Sequence, residues 1–215
     1  MIVIKWNIGL LCQEMKLAWR KNNINFLKIM SKTQENLRRA FAGESMARNK
    51  YNFFAVKARQ EGYEGIAKIF EETADNEKAH AERLMSFMKE EARTTLENFP
   101  VHELGGAEVN LEVAAAGEHY EWTEMYPSFE KIAREEEEKE IADVFKEIGE
   151  VEEQHEKRYQ TLLAKVRERG VFKSEKLIRW KCLNCGYIHE GTEAPGKCPA
   201  CGKPRAYYET WCQNY

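Results

Sequence analysis

Two short patterns in this chain of 215 residues combine residue types that bind metal ions: Glu77-x-x-His80 and Glu152-x-x-His155. On a helix, residues three apart sit about 60° apart on the wheel and close to one turn apart along the axis, so each pair can reach one ion. Glu44 and Glu118 each close an Ala-Gly-Glu string. The six residues together offer four carboxylates and two imidazoles, a hard donor set that suits iron or manganese better than zinc. A single Glu-x-x-His on a charged helix is commonly solvated surface. Two of them at related positions, each matched by a Gly-Glu elsewhere, point to metal.

The positions are related because the chain repeats itself. A shift of 75 residues lays Ile66, Ala67, Phe70, Glu72, Glu77 and His80 on Ile141, Ala142, Phe145, Glu147, Glu152 and His155, and lays Tyr51 on Tyr126. Glu44 and Glu118 match one residue out of step. The repeat predicts two helix pairs and a pseudo-two-fold site between them. It breaks at Glu121: three residues after Glu118 stands a carboxylate, whereas three after Glu44 stands Ala47. Glu121 reads either as a surface residue of a charged helix or as a seventh ligand that makes the two metal surroundings unlike.

Helical periodicity and breakers give the elements that must carry these residues. The spacing predicts a first helix from Ser31, where Ser31 and Gln34 have capping-box spacing, to about Gln60, with Phe41, Glu44, Arg48, Tyr51, Ala55 and Ala58 on one stripe. A turn at Gly62 and Gly65 leads to a second helix over 65–92. Residues 93–107, with Pro100, Gly105 and Gly106, read as a long crossover loop. A third helix runs through Tyr126 and past Pro127 with a kink, and a fourth runs over 139–169 until Gly170 stops it. The acidic run Glu135–Glu138 leaves the join between the last two helices without an obvious glycine turn. This is a mainly α four-helix bundle, and its ligand set is the one found in ferritin-like di-iron and di-manganese proteins.

A second metal-binding pattern closes the chain. Cys182-x-x-Cys185 and Cys198-x-x-Cys201 can place four thiolates tetrahedrally around one zinc or iron ion. Spacing alone does not choose between the two, and a structural zinc ribbon fits as well as a redox site. Five of the 6 cysteines lie after residue 181. Clustered pairs on an otherwise cysteine-poor chain suit metal binding in a reducing compartment, with cytoplasm the expectation. Cys12 and Cys212 lie outside the pattern. His102, His119 and His189 have no Glu-x-x-His context and read as structural or exposed.

The composition fits this organisation. The chain is 32% charged and 43% hydrophobic with 5 Pro and 13 Gly, which suits a helix-rich globular protein. Its formal net charge of -3 offers no footprint for nucleic acid, and no apolar run of about 18 residues could span a bilayer. The expected organisation is an extension over 1–30, the bundle over 31–170, a linker over 171–178 and the cysteine module over 179–215. Residues 1–30 are rich in Ile, Asn, Lys and Trp, make a poor signal peptide, and suggest either an upstream mis-called start, with the natural chain beginning at Met30, or an extra amphipathic helix.

The strings AFAGESMARNKY, ADNEKAHAERL, AAGEHYEWTEMYPSF and VEEQHEKRY, followed by WKCLNCGYIHEGTEAPGKCPACG, resemble the rubrerythrin family over about residues 31–210. The resemblance implies a ferritin-like bundle carrying a non-haem di-iron centre, with a rubredoxin-like tail holding one iron. Glu44 and Glu118 would be terminal ligands and Glu77 and Glu152 bridges. His155 would bind the second iron, and the first would exchange Glu121 for His80 between the oxidised and reduced states. Tyr51 and Tyr126 match tyrosines that hydrogen-bond around the site, and Tyr187, Trp180 and Trp211 would shield the cysteine site.

The implied activity is reduction of hydrogen peroxide, with electrons from NAD(P)H through a separate reductase or rubredoxin. No Gly-rich dinucleotide fingerprint is present in the chain itself. Homodimers or larger head-to-tail assemblies are implied too. An iron-handling ferroxidase with a zinc ribbon, or a metal-stapled scaffold without turnover, are the other readings. Intact-mass analysis of the native protein should give a chain beginning at Met30; a mature chain beginning at Met1 contradicts the start-site reading.

Overall fold

The structure, a computed structural model, describes residues 31–89, 93–97 and 99–212, so expectations for residues 1–30 lie outside it. Lys32–Tyr215 form one compact unit. Its helices are α1 (Lys32–Gln60), α2 (Glu64–Met85), α3 (Ala107–Tyr120), α4 (Tyr126–Glu135) and α5 (Lys139–Arg167). A π-helical turn, Glu121–Met125, joins α3 directly to α4, so these two serve as one long third helix. The mainly α, ferritin-like four-helix bundle is therefore α1, α2, α3–α4 and α5, with a long crossover between the second and third members. Among the described residues no helix is long and apolar enough to cross a membrane.

Two apolar layers hold the bundle together. Tyr51, Phe54, Phe70, Leu111, Ala114 and Tyr159 form one, and Leu37, Leu84, Tyr126, Phe129 and Phe145 belong to the other. Each long helix contributes to both layers and carries a buried glutamate between its two contributions: Glu44, Glu77, Glu118 and Glu152. The repeat register is visible in burial, since the matched pairs Phe70/Phe145, Ala67/Ala142, Ile66/Ile141 and Tyr51/Tyr126 are all at most 2% exposed. Burying an aromatic or large aliphatic side chain contributes about 1.5–3 kcal/mol. The layers therefore supply the stability against which the polar layer between them must be set.

The π-helical turn explains the one-residue slip in the repeat. Seven residues separate Glu44 from Tyr51, and eight separate Glu118 from Tyr126. An i→i+5 turn absorbs the extra residue without breaking the helix, and such bulges concentrate at functional sites. Glu118 and Tyr126 are thus both buried, at 1% each. The kink expected at Pro127 is replaced by this turn. Pro127 falls in the first turn of α4, directly after the π-helical turn that takes up the disturbance to the helix.

Helix ends depart from expectation in ways that local chemistry explains. α2 stops at Met85, before the expected 92, where Ser86 Oγ donates to Arg83 O at 2.6 Å. The first-turn amides of α1 donate to Glu136, Lys32 N at 3.0 Å and Thr33 N at 3.1 Å. Gln34 turns away to meet Phe87 O and Lys89 N. The glycine-free join at 135–138 closes with Glu137 at φ 60 and Glu138 N donating to Ala133 O at 2.9 Å. Arg169 at φ 52, with Gly170 N donating to Lys165 O, ends α5 in the same way; Gly170 itself is not the left-handed residue.

After α5 the chain forms a three-stranded antiparallel sheet of order β2-β1-β3, with β1 Lys173–Cys182, β2 Ile188–Glu193 and β3 Tyr208–Thr210. Most of the stretch expected as linker is therefore strand, because Lys173 pairs with Glu193 and Ile178 with Gly191. Trp180, Cys182, Ala194, Cys198 and Tyr208 form the small core of this module. Tyr63 and Phe172 stack at 6.1 Å where the module meets the bundle.

The left-handed residues give a stability test. Left-handed backbone costs a non-glycine residue about 1–2 kcal/mol, partly offset by the flexibility glycine adds to the unfolded chain. Arg169→Gly and Glu137→Gly should each stabilise by about 0.5 kcal/mol, read as a raised Tm at fixed metal loading.

Candidate metal centres

The ligand residues expected in the bundle reach the site from all four helical members: Glu44 on α1, Glu77 and His80 on α2, Glu118 on α3, Glu152 and His155 on α5. Their donor atoms fall into two groups, each within 4.8 Å of mutual reach: Glu44, Glu77, His80 and Glu152, and Glu77, Glu118, Glu152 and His155. Glu77 and Glu152 belong to both. Glu77 turns Oε2 to His80 Nδ1 at 3.0 Å and Oε1 to His155 Nδ1 at 3.4 Å. Glu152 does the same, with Oε1 2.9 Å from His80 Nδ1 and Oε2 2.6 Å from His155 Nδ1. Each of these carboxylates divides its oxygens between two centres, which is how a bridging carboxylate is disposed.

Glu121 belongs to neither group. It sits half-buried in the π-helical turn, where a groove of about 930 Å³ between α1, α3 and the crossover reaches it, with Lys50 also on the wall. The terminal glutamates are held by a crossed pair of phenols: Tyr51 OH donates to Glu118 Oε1, and Tyr126 OH to Glu44 Oε1. Each tyrosine thus steadies the carboxylate of the other repeat. Gly149 makes room for this, since a Cβ there would lie 3.2 Å from Tyr126 Cβ.

Burial dominates the electrostatics. It pushes the Glu44 and Glu118 carboxyls well above the usual range, and neighbouring Glu77 adds to the rise at both. Glu121 is pushed up to about 8 by burial and then by Glu152 and Glu77. For Glu77 the burial penalty is overcome by His155 and His80, which hold it near 2. Burial would lower both histidines, but Glu152 heads the carboxylates that overcome it, raising His80 and taking His155 to about 9. The cavity holds more carboxyl groups than its two imidazoles can neutralise, so without cations the surplus keeps its protons.

These residues fit a pair of cations. Glu44 Oε2, Glu77 Oε1, both Glu152 oxygens and His155 Nδ1 are buried and meet one another and His80 only as close ion-pair contacts without hydrogen-bond geometry, a cost of about 1–3 kcal/mol for each group if it stayed so. The cysteine module fits one ion by geometry. Cys182 and Cys201 Sγ stand 3.7 Å apart, as do Cys185 and Cys198 Sγ. A disulfide would bring them to about 2.05 Å, whereas a tetrahedron of thiolates about 2.3 Å from an ion has edges of about 3.8 Å. Gly186 and Gly202 follow the two pairs at φ 78 and φ 73, the left-handed step by which each knuckle turns its amide back to Cys182 O and Cys198 O. The chain therefore carries a carboxylate-histidine site for a non-haem di-iron centre and a four-cysteine site for one iron or zinc ion.

Trp180 is buried with its Nε1 donating to Gly191 O, and Tyr187 packs on the module core, while Trp211 lies under the Arg179 guanidinium. Sequence reasoning passed over several residues. Asn76 places its amide 3.2 Å from His155 Nε2 and orients the ring. Buried Glu156 accepts from Trp122, His119 and Gln160. Tyr208 completes the cysteine core. None of them has a counterpart in the repeat that would have drawn attention to it.

Fold and sites together define a ferritin-like carboxylate di-metal protein with an appended cysteine-ligated ion. Residues 35–163 match the Rubrerythrin family, and residues 180–209 match the family described as rubrerythrin, rubredoxin-like domain. Rubrerythrin of Porphyromonas gingivalis is 49% identical over 185 residues, 86% of this chain and 92% of that protein. Rubrerythrin of Nitratidesulfovibrio vulgaris is 49% identical over 179 residues, 83% and 94% of the two chains. Among solved structures, mixed-valent nigerythrin matches with TM-score 0.57 and 34% identity over 83% of this chain and 86% of its own. A Desulfovibrio desulfuricans bacterioferritin matches at 0.59 and 26%, over 65% and 82%. This chain belongs to the rubrerythrin family.

The shifts fix a pH test on metal-free protein. A raised carboxyl such as Glu121 gives stability that is complete below 4.5 and lost as pH rises through about 8, and raised His155 adds the same sign up to about 9. Depressed Glu77 acts oppositely, but only as pH falls below 4.5 toward 2. The metal-free Tm should therefore fall between pH 5 and 9. With metal bound it should hold or rise over that range, because binding displaces the protons.

Proposed function

We propose that this chain reduces hydrogen peroxide to water, taking two protons and two electrons per peroxide. The reading rests on one observation: Glu77 and Glu152 each divide their oxygens between His80 and His155, so two centres share one buried carboxylate layer. Bound in these sites, a ferrous pair supplies both electrons at once, and one iron at the cysteines replaces them singly.

The chain's own residues supply the rest of the mechanism. Glu44, Glu118, Glu77, Glu152, His80 and His155 are the ligands we assign, and Cys182, Cys185, Cys198 and Cys201 those of the single ion. The Tyr51 and Tyr126 phenols steady Glu118 and Glu44 through the change in charge. His80 faces the site while Glu121 stands outside the ligand groups. A neutral imidazole at His80 would suit the less positive reduced pair, and an anionic Glu121, held in the π-helical turn, would suit the oxidised one. The groove beside Glu121 is wide enough for so small a substrate to enter.

The electron donor we infer is an NAD(P)H-dependent reductase, acting directly or through rubredoxin, with the cytoplasm as the compartment. Met46, Phe53 and Tyr120, exposed by 38%, 60% and 53% along the groove, support a homodimer or larger assembly in which one subunit's cysteine site serves another's carboxylate site.

Protein purified without oxygen, loaded with iron and supplied with electrons through rubredoxin, should consume peroxide. Glu121→Ala should lower the rate about 10–100-fold while leaving iron content unchanged. Iron oxidation without peroxide consumption would support the ferroxidase reading instead, and zinc at the cysteines in the native protein would remove the electron relay.

A further inference from the structure

The asymmetry that Glu121 introduces extends behind the ligands. Glu156, next to His155 on α5, is a buried carboxylate, 7% exposed, that faces away from both ligand groups. Its Oε2 accepts from Trp122 Nε1 at 2.5 Å, its Oε1 from Gln160 Nε2 at 2.5 Å, and both oxygens lie 3.1 Å from His119 Nδ1. Trp122 belongs to the π-helical turn itself and His119 to the last turn of α3. The other repeat has none of this: Ala81 stands where Glu156 would be, Ser45 where His119 would be, and Ala47 or Arg48 where Trp122 would be.

A π bulge is held by wide i→i+5 bonds and can migrate along its helix, each one-residue step rotating the side chains involved by about 100°. Such a step would turn Glu121 away from the buried Glu152 and Glu77, whose charges reach it. The Trp122 indole N–H offers a single direction, and a carboxylate acceptor makes that bond about twice as strong as a neutral one. We propose that Glu156 is a positioning residue for Glu121: through Trp122 and His119 it pins the π-helical turn in the register that presents Glu121 to the metal site. This rests on the reading of Glu121 as the seventh carboxylate.

The test uses the full chain with Glu156→Ala, Glu156→Gln, Trp122→Phe and Glu121→Ala. In metal-free protein, the Trp122 indole N–H and the amides of residues 119–126 should exchange with solvent at least about 10-fold faster in Glu156→Ala than in wild type. In iron-loaded, oxidised protein, the absorption spectrum of Glu156→Ala should move to that of Glu121→Ala, with peroxide consumption down about 10-fold. Glu156→Gln, which keeps an acceptor for the indole, should stay within about 3-fold of wild type. Added to Glu121→Ala, the Glu156→Ala change should cost less than about 2-fold more.

Unchanged exchange and spectrum in Glu156→Ala overturn the proposal. So does an equal loss in both backgrounds, which would place the effect on His155 or the fold. If Glu156→Ala does not fold, Trp122→Phe removes the indole N–H while keeping an aromatic ring in place, and carries the same spectral and rate expectations, with the exchange of the 119–126 amides read in place of the indole. If wild type consumes no peroxide, the proposed function fails while the exchange and spectral arms still decide the role of Glu156.

Discussion

Four glutamates at most 1% exposed, packed between two aromatic layers, are the constraint on which the rest depends. An isolated buried carboxylate is too costly to stay ionised, so it must find a proton, a partner or a metal. Here the two imidazoles compensate part of the charge, and raised proton affinities at Glu44, Glu118 and Glu121 register the remainder. Two cations resolve all of it at once. The aromatic layers keep the polar layer from collapsing or flooding, one on either side of the ligand along every ligand-bearing helix.

The pseudo-two-fold arrangement makes this balance symmetric, and its breaks make it useful. Tyr51 and Tyr126 cross between repeats, so neither half holds its terminal glutamate alone. The extra residue between Glu118 and Tyr126, taken up in a π-helical turn, adds a carboxylate on one side only. Under the proposed function this is the half that changes its ligand while the other is held. The four-cysteine module is ordered by different means, a small core around Trp180 and Tyr208 and two glycine-turned knuckles, and it meets the bundle through Tyr63 and Phe172.

Much of this was legible because repetition and spacing are properties of sequence. The 75-residue register placed Glu77, His80, Glu152 and His155, and the one-residue mismatch at Glu44 and Glu118 was the bulge in another form. What stayed hidden was set by three-dimensional neighbours. Glu137 and Arg169 take left-handed turns that glycine would have advertised. The end of α2 at Met85 and the strand that occupies most of 171–178 depend on partners far along the chain. Glu156 looks like one more acid in VEEQHEK until the π-helical turn brings Trp122 to it.

The central claim is that Glu77 and Glu152 are shared, so the two bundle ions stand or fall together. The most direct measurement is iron per chain after anaerobic reconstitution with ferrous iron alone, in wild type and in Glu77→Gln. The account predicts about three ions per chain in wild type and about one, held by the cysteines, in the variant. Retention of about two ions by Glu77→Gln would mean that the bundle sites bind independently, and would contradict it.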